Sequence, residues 1–346
     1  MIRQFRIKHF RGVEEIQLGH IGRVNIFLGK NNCGKSTILD ALYLLCYPVE
    51  PQHFIEINAF RGYNSTNGED FQLNFHNRDT KHPIVLEAEV NGGIRHLDIH
   101  NLVSGVSEML ITDRDTSRLK NKDYSILYNL KTEDNVQYST NLFVDHKDPQ
   151  VIKVSQLDQF HNSILVQYLT PSTPYRDMDK LFAVAIKNKQ EKYISEVLHT
   201  IDSRIIDVVI AGDEILVDVG SEQRIPLQLM GDGMRKVFAT IVNISMCKDG
   251  ILLIDEIDNG LHFTSLDTLW QAIIESANKF NVQVFATTHN IESLEALNTC
   301  LDKSTAVSKE DFRAYTIRQS AEGKHFAIMS NYSQFNHVIN QELELR

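Results

Sequence analysis

The sequence predicts an α/β protein in which a parallel sheet with flanking helices is joined to an antiparallel β subdomain. Three observations carry that expectation. From residue 163 onward, short apolar strand segments alternate with helical ones, the order that builds a parallel sheet. From about 50 to 160 the chain reads as a mainly β insertion. A glycine-containing segment, Gly29 to Ser36, stands between an apolar strand and a helix. With 346 residues, 42% of them apolar and 23% charged, the chain can bury a large core without disulfides or metals.

The elements follow in order. Residues 2–10 alternate loosely and read as a strand crowded by Arg3, Arg6, Lys8, His9 and Arg11. The plain reading is an edge strand protected by its charges; the other is a local basic patch. Residues 24–28 form an apolar run that stops at Gly29, as a buried strand does. A helix is expected over 35–46, with Ile38, Leu39, Leu42 and Leu45 at helical spacing. Residues 48–80 are polar and rich in turn residues, and 83–90 with 94–100 read as a hairpin around Asn91-Gly92-Gly93. The charged stretch 112–123 reads as a loop, and 125–130 and 137–144 as strands. Further strands are expected at 163–169, 206–211, 214–219, 250–255 and 282–287, with helical patterns at 176–200, 233–247 and 264–279. The tail from Phe312 to Arg346 reads as a strand pair and a final helix. Repeats, low-complexity tracts and long heptad runs are absent from the sequence.

Composition excludes several classes. Cys33, Cys46, Cys247 and Cys300 are far apart in sequence, so neither a zinc site nor a disulfide framework is indicated, and a reducing cytosol is the simplest setting. No apolar run approaches the roughly 18 residues of a membrane span, and the N-terminus lacks the apolar core of a signal peptide. A net charge of −10 argues against nucleic-acid binding by bulk attraction, although a local patch remains open.

Gly29-Lys30-Asn31-Asn32-Cys33-Gly34-Lys35-Ser36 matches G-x-x-x-x-G-K-[ST] at every fixed position, with strand before and helix after. Glycines let the backbone curl so that the N–H groups of Asn31, Asn32, Cys33 and Gly34 turn toward phosphate oxygens, and the helix start adds its positive dipole end. Lys35 then reaches the β- and γ-phosphates, Ser36 ligates Mg²⁺, and Thr37 donates to the α-phosphate. Ile251-Leu252-Leu253-Ile254 running into Asp255-Glu256 is a Walker B pattern, with Asp255 for Mg²⁺ and Glu256 to polarise the attacking water. Two adjacent acids at a strand end point to opposite sides, which suits two roles; a strand cap with two solvated acids is the plainer alternative. His289 ends a third apolar strand in Phe285-Ala286-Thr287-Thr288-His289-Asn290, where a γ-phosphate sensor belongs.

Together these residues resemble the ABC-type P-loop ATPases, and within them the OLD/RecF-like group of small prokaryotic AAA family ATPases. Phe10-Arg11-Gly12 looks like that group's opening strand, Asp255 through His262 like its Walker B and D-loop, and Thr287-Thr288-His289 like its His switch. Gly231-Asp232-Gly233-Met234-Arg235-Lys236 stands where the ABC signature belongs, with Gly231 in the place of the usual serine. The resemblance implies a single ABC-type head divided into 1–49, 50–160, 161–300 and 301–346. It also implies a homodimer in which each ATP lies between the phosphate loop of one head and Gly231, Asp232 and Gly233 of the other. Arg235 or Lys236 would compensate for the missing serine, or contact across the dimer would be weaker. Gln167 would be the Q-loop residue; a surface glutamine is the alternative. Without a coiled coil or the acidic cluster of a Toprim nuclease, the chain is expected to act on a separate effector, a nuclease or toxin, in anti-phage defence. A RecF-like DNA-binding repair ATPase and a slowly hydrolysing scaffold are the competing expectations.

Overall fold

A computed structural model describes residues 1–63, 68–103, 124–145, 148–154, 160, 164–171, 175, 177–304 and 307–341. The loop expected at 112–123 lies outside the described residues. The chain forms two compact units. One comprises Met1–Ile21, Asn31–Ser163 and Ile317–Ile328, the other Gly22–Lys30, Ile164–Thr316 and Met329–Arg346.

The first unit begins with β1 (Ile2–Phe10) and β2 (Val13–Leu18). After β3 (Val24–Leu28), which belongs to the second unit, it continues with α1 (Lys35–Cys46) and α2 (His53–Ala59). Then come β4 (Ile84–Val90), β5 (Gly93–Val103), β6 (Tyr124–Lys131), β7 (Gln137–Asp145) and β8 (Asp148–Val154). Its strands form one seven-stranded antiparallel sheet in the order β2-β1-β4-β5-β6-β7-β8. The hairpin expected at Asn91-Gly92 is present. Asn91 and Gly92 have φ of 51° and 89°, the left-handed pair that a two-residue turn between twisted strands requires. β4 alternates buried and half-buried positions along its length, the pattern of a strand with one face on a core.

The first strand is not an edge. β1 lies between β2 and β4, and β2 takes the edge. Two of the charges read as edge protection are instead paired with the neighbouring strand: Arg6 Nε donates to Glu15 Oε1 of β2 at 2.8 Å, and Lys8 Nζ lies 3.9 Å from the same oxygen. Arg11 turns inward to Asp40 of α1.

In α1, Ile38, Leu39, Leu42 and Leu45 are fully buried, which stabilises the helix by about 1.5–3 kcal/mol per side chain relative to exposure. Asp40 is fully buried among them. Its carboxylate is ion-paired by Arg11 and receives two 2.9 Å hydrogen bonds from Arg61 Nη2. Arg11 also donates to Asn74 Oδ1 at 3.0 Å and Asn58 Oδ1 at 2.8 Å, so the buried charge is enclosed by a bonded network.

The second unit adds β9 (Val166–Leu169), α3 (Met178–Lys187), α4 (Glu191–Ile201), β10 (Asp207–Ala211), β11 (Glu214–Asp218), β12 (Ile225–Pro226), α5 (Asp232–Met246) and β13 (Ile251–Ile254). It continues with α6 (Leu266–Lys279), β14 (Gln283–Thr287), α7 (Ile291–Lys303) and α8 (Tyr332–Asn340), and with β15 (Phe312–Gln319) and β16 (His325–Asn331), which are divided between the two units at Ile317 and Ile328. A six-stranded sheet runs in the order β16-β15-β3-β14-β13-β9, with β15, β3, β14, β13 and β9 parallel. β3, β13 and β14 are buried at every position, as central parallel strands covered on both faces are. Trp270 of α6 is fully buried and donates Nε1–H to Ser293 Oγ of α7 at 3.1 Å. α7 is started by Asn290, whose side chain accepts the Glu292 N–H at 2.9 Å. This strand order around a phosphate loop is the architecture of an α/β P-loop NTPase with an antiparallel β subdomain. Among the described residues no helix is long and apolar enough to cross a membrane.

Candidate functional site

Parallel strands deliver their carboxyl ends to one edge of a sheet, and in open α/β sheets ligands bind there. The registers Phe27–Thr287, Ala286–Ile254 and Ile254–Leu169 align the ends of β3, β14, β13 and β9. Four segments therefore leave the same edge: Gly29-Lys30, Thr288-His289, Asp255-Glu256 and Thr170-Pro171. Alternation of apolar strands made this edge legible, because each strand stops where its aliphatic run stops.

The phosphate loop curls through left-handed residues, with φ of 133° at Gly29, 62° at Asn32 and 98° at Gly34. Asn31 and Asn32 are exposed and Cys33 is buried. Lys35, Ser36 and Thr37 form the first turn of α1, with Gly34 as its N-cap. No side chain caps this helix and its first turn holds no acidic residue, so a negative ligand meets no competing carboxylate there. A Cβ on Gly34 would lie 3.3 Å from Val13 Cγ2 and 3.5 Å from His325 Cδ2, which with its positive φ makes glycine the residue that fits. Lys35 Nζ lies 4.0 Å from Cys33 Sγ. Arg61 Nη2 donates to the Ser36 carbonyl at 3.3 Å and ties the turn to the Asp40 pair.

Asp255 and Glu256 lie just beyond β13, not on it. Strand alternation therefore does not orient them, which corrects the expectation from sequence. Glu256 is left-handed, with φ of 49°, and exposed, while Asp255 is 4% exposed. Thr287 sets both. Its Oγ1 donates to Asp255 Oδ1 at 2.7 Å and accepts the Glu256 N–H at 2.8 Å. Thr288 Oγ1 donates to Asp258 Oδ1 at 2.6 Å and accepts the Asn290 N–H at 3.1 Å. Asn259 Nδ2 lies 3.4 Å from Glu256 Oε2. His289 follows this threonine pair and is exposed. From the sequence the two threonines enter only as part of the segment resembling a His switch, and their hydroxyl contacts have no signal there, since a β-branched pair at a strand end reads as strand propensity.

The segment in the signature position differs from expectation in its helix start. α5 begins at Asp232 with Gly231 as N-cap, so Gly233 lies in the first turn and not before it. A Cβ at Gly233 would lie 2.7 Å from Ser265 Oγ, so the turn before α6 packs too closely for a side chain there. Neither cation expected to replace the missing serine is unengaged. Arg235 pairs with Asp232 at 3.0 Å and lies over the Tyr175 ring at 4.4 Å, and Lys236 Nζ donates to the Asn259 carbonyl at 2.7 Å. Gln167, the proposed Q-loop residue, lies on a strand of this sheet. It pairs with Leu252 inside β9, set back from the strand end that aligns with Ile254. A cavity of about 70 Å³ at this edge is lined by Thr170, Tyr175, Lys236, Asp255, Glu256 and Asn259, among others.

The chain is similar to several known proteins. An "ATP/GTP phosphatase" of Helicobacter pylori is 26% identical over 326 residues, covering 86% of this chain and 88% of that one. The uncharacterized protein MJECL11 of Methanocaldococcus jannaschii is 31% identical over 109 residues, 32% of this chain and 89% of its own length. Among solved structures, the SMC head domain from Thermotoga maritima aligns over 95% of this chain and 99% of that one, with 10% identity and a TM-score of 0.49. The Smc head domain with an extended coiled coil from Pyrococcus furiosus aligns over 99% of each chain, with 10% identity and the same TM-score. A family described as "AAA domain, putative AbiEii toxin, Type IV TA system" matches residues 24–295, the span that opens at the strand before the phosphate loop and runs past His289, and the chain belongs to that family.

Proposed function

We propose that the chain is a Mg²⁺-dependent ATPase that dimerises on ATP and regulates a separate effector. The observation that carries the reading is the end of the parallel sheet, where the buried carboxylate of Asp255 is held by the Thr287 hydroxyl on the strand next to the one that runs into Gly29-Lys30. The Helicobacter relative described as an ATP/GTP phosphatase supports hydrolysis of a nucleoside triphosphate. The family's association with a toxin–antitoxin system supports an effector context. The likeness to OLD/RecF-like ATPases belongs to the same reading.

The residues fit the ligand. The left-handed curl at Asn32 and Gly34 is what a backbone cradle for phosphate requires, and Asp255 and Ser36 each offer oxygen donors of the kind Mg²⁺ prefers. Magnesium, when bound, would neutralise charge on the β- and γ-phosphates. Lys35 would hold the terminal phosphates, and Asp255 and Ser36 would orient the ion. Glu256 would draw the proton side of the attacking water, and His289 would contact the γ-phosphate side. Gly231, Asp232 and Gly233 would close on the nucleotide of a second copy through the backbone N–H groups that begin α5. The basic-groove alternative loses Arg11, whose guanidinium is committed to the buried Asp40 carboxylate.

Phosphate release from ATP and from GTP, with and without Mg²⁺, tests this reading in the wild type, K35A and E256Q. E256Q should bind ATP, turn over at least a hundredfold more slowly and elute as a dimer with ATP present. Wild-type protein that binds neither nucleotide in Mg²⁺ would overturn it. Copurification with the products of neighbouring genes, with and without ATP, tests the effector.

A further inference from the structure

Lys236 stands on the first turns of α5, five residues after the N-cap Gly231, and its ammonium reaches out of the helix to two backbone carbonyls. Nζ donates to the Asn259 carbonyl at 2.7 Å and lies 3.5 Å from the Glu256 carbonyl. Both acceptors belong to the turn that follows β13. That turn holds Glu256 at φ 49°, a conformation costing a non-glycine residue on the order of 1–3 kcal/mol and kept only where surrounding bonds over-determine it. Thr287 fixes the amide side of Glu256; Lys236 fixes the carbonyl side. The Asn259 side chain, whose own carbonyl Lys236 holds, then reaches Glu256 Oε2 at 3.4 Å, and the Asn259 N–H donates to the Glu256 carbonyl at 2.9 Å. One ammonium thus anchors both ends of the Glu256–Asn259 turn.

We propose that Lys236 is a positioning residue for Glu256: it carries the placement of the α5 N-terminus into the orientation of the Glu256 carboxylate. The inference rests on the ATPase reading above and deepens it. It also gives the 231–236 segment a role inside its own chain, where Lys236 is committed to the Glu256 turn and not to a γ-phosphate across a dimer. Burial lowers the Lys236 ammonium to about 8, against the pull of Asp258 and Glu256, which is the mark of a cation placed for its hydrogen bonds in a site of limited solvation. Movement of α5, such as closure on a second copy would cause, would shift these bonds and with them the carboxylate.

The test compares full-length wild type, K236M, K236R, E256Q and the K236M/E256Q double variant in three measurements. ATP affinity should stay within about threefold in K236M, because the phosphate loop is untouched, while kcat falls on the order of 10- to 100-fold. K236R, which keeps the charge and donors, should recover to within about fivefold of wild type. The double variant should be no slower than E256Q alone, since a residue acting through Glu256 has nothing left to position. Hydrogen exchange of the 255–261 amides should rise at least tenfold in K236M and remain near wild type in K236R. A K236M kcat within twofold of wild type, or a double variant clearly slower than E256Q, overturns the proposal. Wild-type protein without turnover would defeat the ATPase reading alone; the hydrogen-exchange arm then decides the proposal, and unchanged protection of the turn in K236M overturns it.

Discussion

Replacing Thr287 by valine keeps the shape of the side chain and removes one hydroxyl. That hydroxyl serves two partners at once, the buried Asp255 carboxylate at 2.7 Å and the half-buried Glu256 N–H at 2.8 Å, and Thr287 itself is 1% exposed. Losing a hydrogen bond to a charged acceptor costs about 1.5–3 kcal/mol, and leaving a half-buried N–H without its partner adds about 1 kcal/mol, the low end of the range for a buried one. Some of this is recovered by local relaxation, so the expected destabilisation is about 3 kcal/mol. That is a large fraction of the roughly 5–15 kcal/mol that holds a domain folded. Trp270 is the single tryptophan and is fully buried in the same unit, so its fluorescence in a urea titration reports the unit that contains Thr287. Thr287→Ser, which keeps the hydroxyl, should cost at least 1 kcal/mol less than Thr287→Val. A valine variant that unfolds within 1 kcal/mol of wild type, or no earlier than the serine variant, would refute the claim that this hydroxyl holds the turn. A second consequence follows for the Mg²⁺ reading: Asp255 without its donor should bind the ion less well, so ATP-dependent stabilisation in Mg²⁺ should shrink in Thr287→Val and persist in Thr287→Ser.

Three further outcomes are expected. Gly34→Ala places a Cβ 3.3 Å from Val13 Cγ2 at φ 98°, so it should destabilise by about 1–2 kcal/mol and weaken ATP binding at least tenfold, measured by urea titration and by nucleotide titration. Asp40→Ala leaves Arg11 and Arg61 facing a buried site without its anion and should cost about 3–5 kcal/mol, read by circular dichroism in urea. His96 is raised to about 9 by its hydrogen bond to Asp98, opposed by burial and aided by Glu87. A group with a raised folded pKa binds more protons when folded, so its contribution is complete below the unfolded value of about 6.5 and is lost as pH rises through about 9. The Tm difference between wild type and His96→Gln should therefore be larger at pH 6 than at pH 9.5, with the wild type more stable; an equal difference at both would contradict the pairing.

Local patterns in the sequence sufficed where a structure is decided locally. The run Val24–Leu28, the glycines at 29 and 34 and the apolar spacing through Leu45 place β3, the phosphate loop and α1 at their observed bounds. Asn91-Gly92 marks its hairpin because only left-handed residues close that turn. What stayed hidden depends on partners distant in sequence. Whether β1 is an edge turns on β4, which joins it some eighty residues later, and on β2, whose short Val13–Leu18 pattern went unread. The Asp40 network had a visible trace, a carboxylate inside an otherwise apolar helix and an arginine in Phe10-Arg11-Gly12, but Arg61 and Asn74 carry no pattern that connects them to it. Thr287 and Thr288 find their acids about thirty residues back, and nothing in a strand-ending threonine announces that.

The departure of the signature segment from its usual form changes what a second copy could touch. Arg235 is held by Asp232 and the Tyr175 ring, and Lys236 by the Glu256 turn, so neither guanidinium nor ammonium extends freely from the start of α5. What remains at that end is backbone. Gly231 has open space where a side chain would stand, and no side chain caps the helix. The acid in the first turn, Asp232, would repel an incoming phosphate, but its charge is offset by Arg235 at 3.0 Å. Recognition across the proposed dimer would then fall to N–H dipoles alone. These prefer negative charge without the added hydroxyl bond of a serine, each such terminus contributing about 0.3–1 kcal/mol when exposed. On that account ATP-driven dimerisation should be weaker than a serine-bearing signature would permit. Gly231→Ser, which the open space accommodates, should tighten the E256Q dimer in ATP while leaving the ATP affinity of the monomer unchanged. Sedimentation velocity at a series of concentrations reads the first and nucleotide titration the second. A Gly231→Ser dimer no tighter than its parent would remove the 231–233 segment from the proposed interface.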